Sequence, residues 1–217
     1  MIEAVAAPRT DSRLACEASV LKPFLAELRR LHPRVCPRQV LGVRIGLEAG
    51  ALLGVDLPRT DKRLIVFVET DGCFADGVSV ATGCWLGRRT LRLVDYGKVA
   101  ATVLDTRSAR AFRIRPHPAA RTRAWDYVPG ATSRWHAQLA AYQIMPADQL
   151  LCVQDVELEI PFPTIVATRG RVTCSVCGED ILNQRGQPYL DGTRCRACAG
   201  CRRYYRDAAS VATRRPV

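Results

Sequence analysis

Two cysteine pairs, Cys174-Ser-Val-Cys177 and Cys195-Arg-Ala-Cys198, stand seventeen residues apart near the C-terminus. No other feature restricts the fold so tightly. Repeated Cys-x2-Cys at this separation is the pattern of a structural zinc site. Each pair makes a tight knuckle, and Gly178 supplies the backbone freedom for the first turn. Four sulfurs close a tetrahedron and leave no position for substrate. The segment is too small for a core of its own, so a bound Zn²⁺ supplies its folding energy. A zinc ribbon or treble clef is expected over 166–201, with Cys201 as an additional thiol. A basic tail is expected over 202–217.

The remaining length suits one domain with a real core. The chain has 217 residues, of which 48% are hydrophobic and 24% charged, the balance of a globular protein. No apolar run is long enough to cross a bilayer, which predicts no membrane partner. The first twenty residues carry Glu3 and Asp11 and lack the apolar centre of a signal peptide. A cytoplasmic location is therefore expected, and there ten cysteines point to metal binding more than to disulfides. The formal net charge is +11. Lys22, Lys62 and Lys98 are the only lysines among 32 basic residues, so the charge is almost wholly arginine. A basic total favours an anionic partner without specifying one.

Residues 1–19 read as a loose lead-in, with Cys16 isolated. Residues 20–31 read as a helix with Val20, Phe24, Leu28 and Leu31 on its apolar side. Pro33 and Pro37 hold the next segment extended, and Pro37 suits the first turn of a new helix. That helix, over 37–53, is apolar on most sides and should be buried. Gly42, Gly46, Gly50 and Gly54 form a smooth stripe along it, suited to tight packing or to a dimer face. Leu64 to Val68 reads as a buried strand. A helix follows from Cys73 to about Thr82, with Thr90–Val94, Val99–Asp105 and Ala111–Arg115 as further strands. The expectation is an α+β domain over 20–118, a sheet of about four strands with buried helices on one face. A helical linker with one strand is expected over 119–165.

Two segments place a cysteine where a helix begins: His32-Pro-Arg-Val-Cys36-Pro37 and Glu69-Thr-Asp-Gly-Cys73. Backbone N–H groups and the helix dipole there favour thiolate over thiol. His32, Cys36 and Cys73 are therefore expected to meet in one cleft, either as ligands of a second transition metal or as a site of thiolate catalysis. Thr70 or Asp71 can cap the second helix, and Asp76 reads as a cap or ion-pair partner. Cys84 ranks lower. Eleven residues of straight helix separate it from Cys73 by about 16 Å, too far to share an ion.

In these segments the chain resembles the formylmethanofuran dehydrogenase FmdE family. The residues that carry the resemblance are the His32/Cys36-Pro37 segment, Leu41-Gly-Val-Arg44 with Gly46, and Glu69-Thr-Asp71 with Cys73 and Asp76. Thr82-Gly-Cys84 with Gly87, and Asp95-Tyr-Gly-Lys98, continue it. The same order of sheet, helical linker, strand and CxxC module follows. The resemblance implies an association with operons for the molybdenum or tungsten enzyme that fixes CO2 onto methanofuran. The family usually carries His-Gly-His before its Cys-Pro; here Pro33 and Arg34 take the glycine and second-histidine places, and Arg38 replaces a glycine.

Three functions follow, in this order. The first is a metal- or thiolate-dependent enzyme or redox accessory protein acting on one-carbon or sulfur compounds. The second is a non-catalytic partner of a molybdenum or tungsten oxidoreductase. The third is a zinc-module binder of nucleic acid using the arginine-rich tail. A homodimer is expected. No complete catalytic triad, phosphate loop or cofactor fingerprint is present to specify turnover.

Overall fold

The computed structural model describes residues 12–159, 170–200 and 205. The chain divides into two units, Met1–Glu157 and Leu158–Val217. Cys201 and the basic tail, which carries the nucleic-acid expectation, lie outside the described residues, as do Ile160, Pro161 and Pro163.

The first unit begins with α1 (Ser12–Leu31), α2 (Pro37–Leu53), β1 (Leu64–Val68) and α3 (Cys73–Thr82). There follow β2 (Leu91–Leu93), β3 (Ala101–Asp105), β4 (Ala111–Pro116), α4 (Ala120–Tyr127), α5 (Arg134–Ile144), α6 (Ala147–Leu150) and β5 (Leu151–Asp155). The sheet has five strands in the order β2-β1-β3-β4-β5. β1 and β2 are parallel, joined through α3, and every other pairing is antiparallel. All five residues of β1 and of β3 are buried, so the centre of the sheet is the centre of the core.

α2 is the buried helix. Val40, Val43, Ile45 and Ala49 have no exposure. Arg44, also buried, donates to the carbonyl oxygens of Met145 (2.7 Å) and Tyr142 (3.5 Å), so a cation occupies the negative end of α5. The glycine stripe is consumed inside the chain. A Cβ on Gly42 would lie 2.4 Å from the Phe74 carbonyl oxygen, and one on Gly46 would lie 2.6 Å from the Ala81 Cβ, both on α3. Gly50 faces Leu57, and Gly54 ends the helix in a left-handed conformation (φ 63°). The stripe therefore serves packing, and supplies no face for a second copy.

Three expectations change. α1 starts at Ser12, well inside the anticipated lead-in, and its buried face is Leu21, Leu25 and Leu28, while Val20 and Leu31 are exposed. The 4-3 spacing of those leucines defines the stripe that meets the core. Residues 116–129 do not break the pattern and end the domain, as expected; they contain α4, held by the buried alanines Ala120 and Ala124. Residues 119–157 belong to the first unit, because β5 pairs with β4 from Phe112↔Asp155 to Pro116↔Leu151 and α5 contributes Tyr142 to the core.

One buried ion pair closes the β1–β3 end. Arg63 donates to both carboxylate oxygens of Asp105, at 3.0 and 2.9 Å, and Asp105 is 1% exposed. The Arg63 guanidinium outweighs burial and holds the Asp105 carboxyl well below the usual carboxylate range. A depressed folded-state value stabilises the fold above the unfolded carboxylate value, about 3.9, and that contribution is lost as pH falls below it. Asp105→Asn should thus cost about 3 kcal/mol at pH 7 in urea unfolding. The deficit should shrink as the pH is lowered below about 4.

The second unit contains two hairpins: β6 (Arg171–Thr173) with β7 (Asp180–Leu182), and β8 (Gln187–Tyr189) with β9 (Gly192–Arg194). The described architecture is α+β with a terminal four-cysteine cluster.

A thiol pair and a four-cysteine cluster

Cys36 and Cys73 are brought together by helix geometry. Cys36 is the residue before α2, with an extended backbone (φ −112°, ψ 159°), and Pro37 opens the helix. Gln39 returns its Oε1 to the Cys36 N–H at 2.8 Å, which fixes that end. Cys73 opens α3 directly after Gly72, whose φ of 72° and ψ of −155° suit glycine. Gly72 is the residue that precedes the helix, so the expected side-chain cap from Thr70 or Asp71 is not formed, and Asp71 is exposed.

The two helices meet at their starts without side chains between them. A Cβ on Gly77 would lie 2.2 Å from the Gln39 carbonyl oxygen. This contact holds the Cys36 and Cys73 thiols in hydrogen-bonding reach of each other, both half-buried. Burial and the adjoining Cys36 sulfur push the Cys73 thiol up, while the Arg38 charge and the Cys73 backbone N–H favour its thiolate. Two sulfurs so placed do not ionise together easily; they share protons, or an electrophile takes their place.

His32 stands at the edge of this pair and faces Asp76, with Nε2 2.7 Å from Oδ2 and about a third of each side chain exposed. Asp76 lies one turn beyond Cys73 on α3, so it is an ion-pair partner, one of its two expected roles. Among the described residues, His32, Cys36 and Cys73 do not have ligand atoms within 4.8 Å of one another; that condition is met only by the C-terminal cysteines. A three-ligand ion here would require His32 to leave Asp76. The two sulfurs alone form the donor set that is in place. Beside them the Gln39 Nε2, in a side chain with no exposure, has no hydrogen-bond partner. A buried donor without an acceptor is costly, and a thiolate sulfur is an acceptor that this end of α2 can offer.

Sequence spacing does not indicate what holds the Cys73 loop. Glu69, buried at the end of β1, receives Arg113 Nε at 2.6 Å and Nη2 at 2.8 Å. Its carbonyl oxygen accepts the N–H groups of Tyr96 (2.9 Å) and Lys98 (3.1 Å). The Asp95-Tyr-Gly-Lys98 turn is thereby tied to the start of the Cys73 loop. Cys84 is buried and donates to the Leu64 carbonyl oxygen at 3.6 Å, a structural thiol whose pKa burial raises. It takes no part in the pair.

The sulfurs of Cys174, Cys177, Cys195 and Cys198 lie within 4.8 Å of one another, with Cys177 and Cys195 4.0 Å apart. A tetrahedral ion with bonds of about 2.3 Å needs sulfurs about 3.8 Å apart. The two knuckles have the same hydrogen bonding: Gly178 N–H to the Cys174 carbonyl oxygen (3.0 Å) and Ala199 N–H to that of Cys195 (2.9 Å). The N–H groups of Cys195 and Cys198 point at the sulfurs of Cys174 (3.3 Å) and Cys195 (3.4 Å), as suits thiolates. The Cys177 and Cys195 N–H groups hold the Cys174 thiol down to about 6. At Cys177 the Glu179 N–H favours the thiolate, but Cys174, burial and the other two sulfurs outweigh it and push the thiol up to about 12. The cluster fits one metal ion held by all four sulfurs.

The fold and these residues define a class before any particular relative. Residues 31–152 match the family described as "FmdE, Molybdenum formylmethanofuran dehydrogenase operon". The chain belongs to the FmdE family. A relative from Archaeoglobus fulgidus, described as a probable S-adenosyl-L-methionine-binding protein, is 34% identical over 99 residues. That match covers 44% of this chain and 27% of the relative, so the chain spans about a quarter of that protein's length. Among solved structures, an FmdE-like protein of tungsten formylmethanofuran dehydrogenase from Syntrophus aciditrophicus shares the fold. Its TM-score is 0.53 at 21% identity, over 82% of this chain and 91% of that one. No described helix is long and apolar enough to cross a membrane.

Proposed function

We propose that the protein is an FmdE-family metal-binding protein with two sites of different character. Cys174, Cys177, Cys195 and Cys198 hold a structural Zn²⁺, which closes all four positions and performs no chemistry. Cys36 and Cys73 form an open thiolate site for a second, thiophilic transition metal, with His32 recruited from Asp76 when an ion is bound. The observation that carries this reading is the meeting of two half-buried thiols at the starts of α2 and α3. An ion there would supply Lewis acidity or redox change; the residues of the chain supply its position. Glu69 and Arg113 fix the Cys73 loop, Gln39 can donate to a thiolate, and the His32–Asp76 pair can hold a proton at Nε2. One-carbon or sulfur compounds are the substrates that such a site suits.

A second reading has support in the family's description, which refers to a formylmethanofuran dehydrogenase operon. In it the protein is a non-catalytic partner of a molybdenum or tungsten oxidoreductase, and recovery of that larger complex in a pull-down is the discriminating result.

Metal analysis of the purified protein beside Cys36→Ser and Cys174→Ser tests the proposal. Cys174→Ser should lose the structural ion and Cys36→Ser the other, each leaving its counterpart in place. Wild-type protein with only one ion per chain, unaffected by Cys36→Ser, would remove the second metal.

A further inference from the structure

We propose that Cys36 and Cys73 also form a reversible disulfide, so that the site is a dithiol–disulfide couple whose exchange partner is a low-molecular-weight disulfide of the glutathione class. The inference rests on the reading that these two thiols make one open site. It adds a redox activity that metal binding alone does not contain.

The placement of the two sulfurs supports it. They are already in contact, they come from different helices, and both are half-buried, so a reagent of modest size can reach them. Each begins a helix, where the backbone N–H groups favour the attacking thiolate. Arg38 adds a positive charge beside Cys73. The other described cysteines of the first unit are differently placed: Cys84 is 1% exposed and hydrogen-bonded to a backbone carbonyl, and Cys152 lies in β5. The contact between the α2 and α3 backbones at Gly77 keeps the thiols together without the bond, so closing it needs little movement.

The exchange balances in two steps. One thiolate of the pair attacks the low-molecular-weight disulfide, forming a mixed disulfide and releasing one thiolate. The second thiolate attacks the protein sulfur of that mixed disulfide, forming the Cys36–Cys73 bond and releasing the other. The two protons of the protein thiols end on the two released thiolates. The protein is oxidised by two electrons and the small disulfide is reduced to two thiols.

The test is equilibration of the full chain, with metal in its four-cysteine cluster, in mixtures of glutathione and glutathione disulfide. Iodoacetamide then traps free thiols, and peptide mapping follows. As the disulfide share rises, alkylation at Cys36 and Cys73 should be lost together, and a linked peptide pair should take its place and vanish on reduction. Cys73→Ser should stop at a glutathione adduct on Cys36, and Cys36→Ser at one on Cys73. Wild-type protein that stops at adducts, or keeps both thiols alkylatable throughout, overturns the couple. If that protein still holds a second ion through Cys36, only the couple fails. If its thiols neither bind metal nor react with iodoacetamide, the proposed site fails with it.

Discussion

Gly77→Ala should cost the first unit about 3 kcal/mol, the upper range for an overpacked core, and should separate Cys36 from Cys73. The reason lies in what the new methyl group would strike. It would stand 2.2 Å from the Gln39 carbonyl oxygen and 3.1 Å from the Gln39 Cα, which are main-chain atoms of α2 that no rotamer change can move aside. Either α2 and α3 part at their starts or the helices lose regularity, and both outcomes spread the two sulfurs. Urea unfolding measures the first effect, and loss of the Cys36–Cys73 linked peptide measures the second. Gly87→Ala is the matched control, because a Cβ there meets nothing within 4 Å. If Gly77→Ala matched Gly87→Ala in stability, the close approach of α2 and α3 would be wrong.

Chelation should have its largest effect on the second unit. Among its described residues only Cys174 and Ile181 are buried hydrophobics, far too few to offset the entropy of ordering the chain. Structural zinc in small modules contributes roughly 10–16 kcal/mol, so removing the ion should unfold residues 170–200 outright. Amide dispersion in that segment should collapse, while the first unit, with its own core, keeps its signals. Cys174→Ser should reproduce the loss in metal-containing buffer. A second unit that stays dispersed after complete metal removal would show that the hairpins fold without the ion.

How far the sequence discloses this protein depends on whether a feature is local. The bounds of α2 and β1 can be read directly, because Pro37 opens the helix, Gly54 closes it, and Leu64 to Val68 is an apolar run bounded by charge. The four-cysteine cluster is legible from spacing alone, since a knuckle is built from neighbours. The face of α1 is not, because Val20, Phe24, Leu28 and Leu31 also fit a helical period; only the core selects Leu21 and Leu25. α4 escapes a reading of periodicity because its buried side is two alanines amid Arg121, Thr122, Arg123 and Asp126, a stripe too thin to stand out. At the site, the sequence indicates the helix starts that carry Cys36 and Cys73. It does not show that His32 pairs with Asp76, forty-four positions on, or that Arg113 holds Glu69. Those partners are chosen by the sheet register and by helix packing, which no local pattern encodes.

A trivalent arsenical reads the proximity of two thiols directly, because it is held firmly only when both sulfurs bind one arsenic atom. Phenylarsine oxide added to the metal-loaded protein should attach once in the first unit, bridging Cys36 and Cys73 in the peptide map. Cys36→Ser or Cys73→Ser should each abolish that bridge. Attachment that survives either substitution, or that never involves both residues, would contradict the claim that the starts of α2 and α3 form a single thiol site.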